Sequence, residues 1–542
     1  MEFDTIIVGA GSAGSVLADR LSADARRKVL VLEAGGSDRR FWIQVPLGYG
    51  KIFYNPSVNW MYDTEPDPGL GGRSVYWPRG KVLGGSSSIN AMVYIRGNPG
   101  DFDDWEAAGN PGWGSRGVMP YFRAMEDTQK GADEWRGTGG PLHVADMSGE
   151  VGNYCQAFFE AGQQAGLPFN PDFNGASQEG VGYYQITTKD GRRMSAARAF
   201  LRPAMRRENL NVETGAHVTR LLFDGRRVTG VEYSQNGRIH KATARREVIL
   251  SGGAVNSPQV LQLSGIGPGE VLQRHGIGVV LDNPNVGQNL QDHLGINYTY
   301  RTSQPTLNER LRPWWGKLMV GAQYILTRRG PLSICINHGG GFFRTRPGLT
   351  RPNMQLYFQA ISTITSKDDG KRPLLNPDPF PAMSLGLSSC RPTSRGHITI
   401  RSDDPFQKPA INPNSFSTDT DVREMLEAVK FLRVLAGQPA LGAVIEEELL
   451  PGPDCQSDDE LIADFRQRCG TVFHPSCTCM MGPDPTTSVV DSRLRVHGIE
   501  GLRVVDASIF PNVTTGNTNA PTMMVAARAA DLIMEDEKGP AT

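Results

Sequence analysis

The sequence predicts an α/β domain of Rossmann type, joined to a discontinuous α+β domain built on an antiparallel sheet. Three observations predict it. An apolar strand enters a GxGxxG turn and a helix at the start of the chain, a second strand–turn–helix pattern falls near residue 250, and a third follows residue 500. Strands that read as unbroken apolar runs and lead into helices belong to buried parallel sheets.

The first strand is Thr5-Ile6-Ile7-Val8, apolar with no polar alternation. It runs into Gly9-Ala10-Gly11-Ser12-Ala13-Gly14 and a helix through Val16, Leu17 and Leu21. A second strand, Val29-Leu30-Val31-Leu32, ends at Glu33 and Ala34. Gly9 permits the tight turn, Gly11 lets backbone approach a pyrophosphate, and Gly14 lets the helix pack on the strand. Phosphates then rest on the unpaired N–H groups of the helix start, with Glu33 accepting from ribose hydroxyls. This fingerprint fits NAD and FAD equally. No second GxGxxG follows a strand, which disfavours a reductase carrying both.

The segment Arg79-Gly80-Lys81-Val82-Leu83-Gly84-Gly85-Ser86-Ser87-Ser88-Ile89-Asn90 offers many backbone N–H groups and little bulk, so it can lie flat against a large planar or anionic ligand. It continues into apolar Ala91-Met92-Val93-Tyr94-Ile95, unlike a linker. In the middle of the chain, strand Glu247-Val248-Ile249-Leu250 precedes Gly253-Ala254-Val255-Asn256-Ser257-Pro258, with Pro258 expected in a helix first turn. Near the C-terminus, Val472-Phe473-His474-Pro475-Ser476-Cys477-Thr478-Cys479 sits between turn-forming segments. Leu502-Arg503-Val504-Val505 leaves Asp506 and Ala507 at a strand end. The run Thr515-Gly516-Asn517-Thr518-Asn519-Ala520-Pro521 opens a helix, with Thr518 or Asn519 as its N-cap and a buried stripe at Met523, Ala527, Ala530 and Ile533.

Together the N-terminal fingerprint, the glycine-serine segment and the Ser257-Pro258 helix resemble the glucose-methanol-choline (GMC) oxidoreductase family, nearest its bacterial alcohol and choline dehydrogenase branch. The resemblance implies FAD held by a Rossmann-like domain of the GMC fold. It places Val82, Gly84, Gly85 and Asn90 through Val93 near the isoalloxazine ring, Trp60 near the cofactor, and Val218 against the adenine. Asp506 and Ala507 are expected to line the ribityl and pyrophosphate region. Some members attach FAD covalently to a histidine where this chain has Ile89, so non-covalent FAD is expected.

The same resemblance makes His474 the active-site base and Asn517 its partner, with Phe473 and Thr518 also at the site. Asn519 is the alternative partner, because the Gly-Asn-Thr-Asn run allows a two-residue slip. An alcohol releases hydride to flavin N5 readily only as its hydroxyl proton leaves, and imidazole titrates near working pH. A helix start aimed at the flavin would stabilise charge on its reduced form. Nine histidines are present; His293, in Asn289-Leu290-Gln291-Asp292-His293, reads as structural. The implied reaction is oxidation of an alcohol to an aldehyde or ketone, with electrons passed to a quinone-type or cytochrome acceptor or to oxygen. The same fold also carries lyases and a fatty-acid photodecarboxylase, and Cys390, before Arg391-Pro392, keeps that alternative open.

The cofactor motifs fall at both ends and in the middle, so the FAD-binding domain is assigned to 1–160, 205–300 and 470–542. The substrate-binding domain takes 161–204 and 301–469, with His397-Ile398-Thr399-Ile400 among its strands and a Pro/Gly cluster at 368–392. Trp314 and Trp315 fit a substrate mouth, an interface or the core.

Composition sets the outer bounds. At 542 residues the chain exceeds one core, and 56 basic against 57 acidic side chains give no overall field favouring nucleic acid or anionic membrane. Seven cysteines without a CxxC suggest neither zinc nor a dithiol, so no metal site is expected. They read as reduced thiols of a cytoplasmic protein. No secretory signal opens the sequence and no apolar run reaches the ~20 residues of a membrane span. Peripheral contact with the inner membrane stays open, and a monomer or dimer is expected.

Overall fold

Apolar runs from three distant parts of the chain meet in one sheet. The computed structural model describes residues 2–364 and 376–538. The elements that position the site begin with β1 (Glu2–Val8), α1 (Ser12–Leu21), β2 (Val29–Glu33) and β3 (Gly180–Tyr183). They continue with β4 (Leu210–Thr214), β5 (Ala216–Asp224), β6 (Arg227–Gln235), β7 (Arg238–Leu250) and α2 (Gly253–Leu263). Then come β8 (Leu294–Thr302), α3 (Trp314–Thr327), β9 (Gly339–Phe343), β10 (Met354–Gln359) and β11 (Ala382–Ser389). Last are α4 (Asp419–Ala436), β12 (Ile445–Leu450), β13 (Gly470–Thr471), β14 (Leu502–Val504) and α5 (Asn519–Lys538).

The first sheet has the order β4-β2-β1-β7-β6-β5, with β14 also paired to β7. β1 lies parallel to β2 and β7, with Ile6 opposite Leu30 and Val248. β14 joins parallel, Ile249 opposite Arg503. Every residue of β2 is buried, as a strand covered on both faces must be. Each Leu, Ile or Val so buried contributes roughly 1.5–3 kcal/mol before entropy is set against it. Helices α1 and α5 pack side by side on this sheet, and Arg20 pairs with Asp531 between them.

The second sheet is antiparallel, β12-β8-β11-β10-β9-β3, with β13 paired to β8. Helix α4 covers it, burying Met425, Val429 and Leu432. The GMC architecture of a mixed α/β sheet beside an antiparallel one is therefore present. Two local expectations are corrected. His397–Thr399 pairs with Ala410–Asn412 as a separate hairpin against α2, outside the large sheet. Pro258 is the sixth residue of α2, because Asp506 draws the helix start back to Gly253. Part of the Pro/Gly cluster, 368–375, lies outside the described residues, as do 539–542.

Candidate active site

A single long cavity of about 1420 Å³ runs between the sheets. Its floor is built by close backbone contact. A Cβ on Gly9, whose φ is +100°, would fall 2.5 Å from the Ser251 carbonyl oxygen, and one on Gly85 would fall 2.7 Å from Gly11 Cα. The first turn and the glycine-serine segment can cross only as glycines.

Gly9, Gly11, Ser12, Ala13, Glu33, Ala34, Trp60, Gly85, Asn90, Ala91, Met92, Val93, Val218, Phe473, His474, Asp506, Ala507, Asn517, Thr518 and Asn519 all line the cavity. Three expected contacts do not. Gly14 lies behind the turn, where a Cβ would sit 1.9 Å from the Gly9 carbonyl. Val82 is wholly buried, and Gly84 donates its N–H to the Ala10 carbonyl at 2.8 Å. These three shape the cradle from outside it.

The starts of α1 and α5 face the cavity. Gly11 caps α1 without a side-chain bond, and Ser12 Oγ donates to Asn519 Oδ1 at 2.7 Å, fastening one helix start to the other. Glu33 accepts from the N–H groups of Ala10 (2.9 Å) and Gly35 (2.8 Å). Burial raises its pKa to about 7 despite those bonds and the nearby Lys81. Asp506 accepts from the N–H of Gly253 (2.8 Å), the hydroxyl of Ser257 (2.6 Å) and the N–H of Ser508 (2.8 Å), tying the end of β14 to the start of α2. Pro258 leaves the Ala254 carbonyl without an intrahelical donor, and the Thr478 hydroxyl supplies one at 2.7 Å.

At the other end of the cavity, His474 Nε2 lies 3.1 Å from Asn517 Nδ2, and His474 Nδ1 lies 3.0 Å from Nδ1 of His293. His293 Nε2 is 3.1 Å from the Cys390 carbonyl oxygen. A carbonyl only accepts, so His293 carries its proton on Nε2 and presents a lone pair at Nδ1. His474 must then be protonated on Nδ1, which leaves Nε2 with the free lone pair facing Asn517. Burial, then the neighbouring His293 and Arg79, hold the His474 pKa well below its ordinary value. Burial takes His293 down to about 4. Both rings are neutral at neutral pH.

Other groups fix this pair. Asp292 accepts the His474 N–H at 2.7 Å and also the Thr471 hydroxyl. Phe473 stands at φ +72° with its N–H on Thr471 Oγ1 at 2.7 Å and its carbonyl held by Arg79. Such backbone, unfavourable without glycine, persists only where surroundings impose it. Asn517 Oδ1 accepts from Gln355 Nε2 at 3.3 Å, and Gln355 Oε1 accepts from Tyr357 at 2.8 Å.

Sequence reasoning missed His293, Arg79, Gln355 and Tyr357 as parts of this network. The alternation Gln355, Tyr357, Gln359 along an apolar strand was the available signal, since residues two apart share a face. His293 carried none, because its role depends on a chain segment far away. Cys390 enters through its carbonyl, and burial raises its thiol pKa far above the ordinary value. Among the described residues, no cluster of three or more His, Cys, Asp or Glu could hold a metal.

A glycine-rich cradle open to a histidine–asparagine pair has the form of a nucleotide-cofactor oxidoreductase site. The GMC oxidoreductase family models match residues 3–295 and 392–526, and the chain belongs to that family. It is 44% identical to mouse mitochondrial choline dehydrogenase, over 99% of this chain and 91% of the relative. It is also 44% identical to alcohol dehydrogenase [acceptor] of Pseudomonas putida, over 98% and 96%. Among solved structures, pyridoxine 4-oxidase from Mesorbium loti superposes with a TM-score of 0.89 at 33% identity, covering 98% of this chain and 99% of that one. Formate oxidase of Aspergillus oryzae gives 0.92 at 28% identity, covering 99% of each. The chain is an oxidoreductase acting on CH–OH groups, and FAD is the cofactor its family supports.

Proposed function

We propose that this chain oxidises an uncharged small-molecule alcohol to an aldehyde or ketone, with His474 as base and Asn517 as donor to the substrate oxygen. The carrying observation is the chain of contacts from the Cys390 carbonyl through His293 to His474, which leaves an unprotonated Nε2 at the cavity wall.

The cavity fits FAD on its own evidence: a side-chain-free crossing at Gly11 and Gly85, an uncapped helix start, and a buried Glu33 at the far end of β2. The turn Gly9–Ala13 would hold the phosphates, Glu33 the ribose hydroxyls, the Val218 backbone the adenine, and Asn90–Val93 the ring. FAD, when bound, supplies the hydride acceptor. Ile89 lines the cavity with an aliphatic side chain, which supports non-covalent attachment.

The protein's part is proton handling and orientation. His474 Nε2 takes the hydroxyl proton as the carbinol carbon gives up its hydrogen with the bonding pair, so the C–O single bond becomes a carbonyl. Asn517 Nδ2 donates to the oxygen while it carries negative charge, and Gln355 keeps the amide in that orientation. Among the described residues the second sheet brings no carboxylate to the cavity wall, and Arg468, from the helix just before β13, is already paired with Asp464. That wall offers no counter-ion to a cationic substrate, which supports an uncharged alcohol. Relatives named as oxygen-dependent and as acceptor-dependent dehydrogenases support oxygen or a quinone-type acceptor for the electrons.

Anaerobic mixing with primary alcohols in the dark tests this. The flavin should bleach with uncharged alcohols, slowly or not at all with choline. His474→Ala should keep its FAD and bleach at least about a hundredfold more slowly. A flavin that stays yellow with every alcohol would reject the reading.

A further inference from the structure

Helix α3 is buried along one narrow stripe only, Gly316, Val320 and Tyr324. Its remaining surface is apolar and open. Trp314, Trp315, Leu318, Met319, Ile325 and Leu326 are between 53% and 82% exposed. Large side chains in that density on one short helix are not scattered surface residues; they form a contiguous patch of the kind that marks an interaction site.

Charge identifies what covers it. Between Arg310 and Arg329 the chain holds Arg310, Arg312, Lys317, Arg328 and Arg329 and no acidic residue. Arg192 and Arg198 lie near Tyr324 at the end of the helix and add to this rim. Acidic neighbours are few: Glu309, next to Arg310, is turned onto Thr306, Glu150 stands 3.6 Å from Arg329, and Asp190 acts on Arg198. Arg312 donates to the Pro377 carbonyl, and Arg328 lies over the Tyr324 ring. The near-zero net charge of the whole chain conceals this local excess.

We infer that the outer face of α3 docks on an anionic lipid bilayer, lying in its interface. Apolar side chains with tryptophans at one end enter the acyl boundary while the cationic rim meets phosphate headgroups. No helix among the described residues is long and apolar enough to cross a membrane, so contact is from one side. A second copy of this chain is the poorer occupant, because a twofold contact would press each cationic rim against its own image. Val320 packs in the same cluster as Ile361, and Ile361–Ile364 line the cavity. The docked bilayer would therefore adjoin the cavity wall. This inference stands whether or not the proposed reaction is correct.

Flotation of the FAD-loaded full chain with phosphatidylglycerol vesicles, against phosphatidylcholine vesicles, tests it. The protein should float with the anionic vesicles at physiological salt and stay largely behind with the neutral ones. Leu318→Asp/Leu326→Asp and Arg310→Glu/Lys317→Glu, both on exposed positions, should each lower anionic partitioning at least about tenfold. Both should retain FAD and rates with a water-soluble dye acceptor. Failure of the unaltered protein to float overturns the inference, as does equal flotation of either variant. So does sedimentation showing a dimer that Leu318→Asp/Leu326→Asp converts to a monomer, since a second copy would then own the face.

Discussion

His474 can act as a base only while its Nε2 carries no proton, and that state is set by His293, 181 positions earlier. His293→Leu removes the acceptor at Nδ1, frees the other tautomer of His474, and should cut the rate of flavin reduction about ten- to a hundredfold with FAD retained. His293→Asn restores an acceptor and should recover part of that loss in stopped-flow traces. Equal rates in all three proteins would remove His293 from the mechanism. Glu33 shows the opposite sign of perturbation. Its pKa of about 7 means that the folded apoprotein binds a proton more readily than the unfolded chain, so this group's stabilising contribution is present below about pH 4.5 and is lost as pH rises through 7. In the proposed reading, ribose hydroxyls take the ionised carboxylate as acceptor. The FAD dissociation constant should therefore rise by up to about tenfold per pH unit below 7. Glu33→Gln should bind more weakly and lose that slope in fluorescence titrations; an unchanged slope would assign the effect elsewhere.

At the scale of elements, α2 shows how two segments far apart in sequence repair each other. Proline at position 258 deletes one helical donor, and Thr478, from the turn after His474, replaces it. Thr478→Val should cost about 1–2 kcal/mol in urea unfolding, the usual penalty for a buried carbonyl left without a partner. In a Pro258→Ala background the helix regains its own N–H, and the same substitution should cost markedly less. Additive costs would mean that the Thr478 bond contributes nothing of its own. The placement of Thr478 five residues beyond Phe473, itself at φ +72°, links the stability of α2 to the segment that carries His474.

For the whole molecule, the cavity is a seam. Its cradle comes from the first sheet, while Gln355 and Tyr357 come from the second, and Asn517 stands just before α5. Cofactor bound across that seam stabilises both sides by mass action. Acid precipitation should leave the yellow colour in the supernatant, because Ile89 can form no covalent link. The resulting apoprotein should melt at a lower temperature that climbs with added FAD, by about 2.7 kcal/mol of stability at a concentration a hundred times the dissociation constant. A yellow pellet would show covalent attachment through some other residue.

The dinucleotide cradle could be read from the chain because it is local. Strand, GxGxxG, helix and Glu33 lie within thirty-odd consecutive residues, and their spacing follows from backbone sterics and helix geometry. His474 and Asn517 came from the resemblance of their surrounding motifs, and the fold brings them to 3.1 Å; the sequence alone determined the α/β class and the aliphatic residue at Ile89. Only the folded chain decided which nitrogen of His474 is bare, that Val82, Gly84 and Gly14 stand behind the cradle, and that one face of α3 is left uncovered. Those facts depend on contacts between segments tens to hundreds of residues apart. No local period or spacing encodes such contacts, because packing, not propensity, selects which distant groups meet.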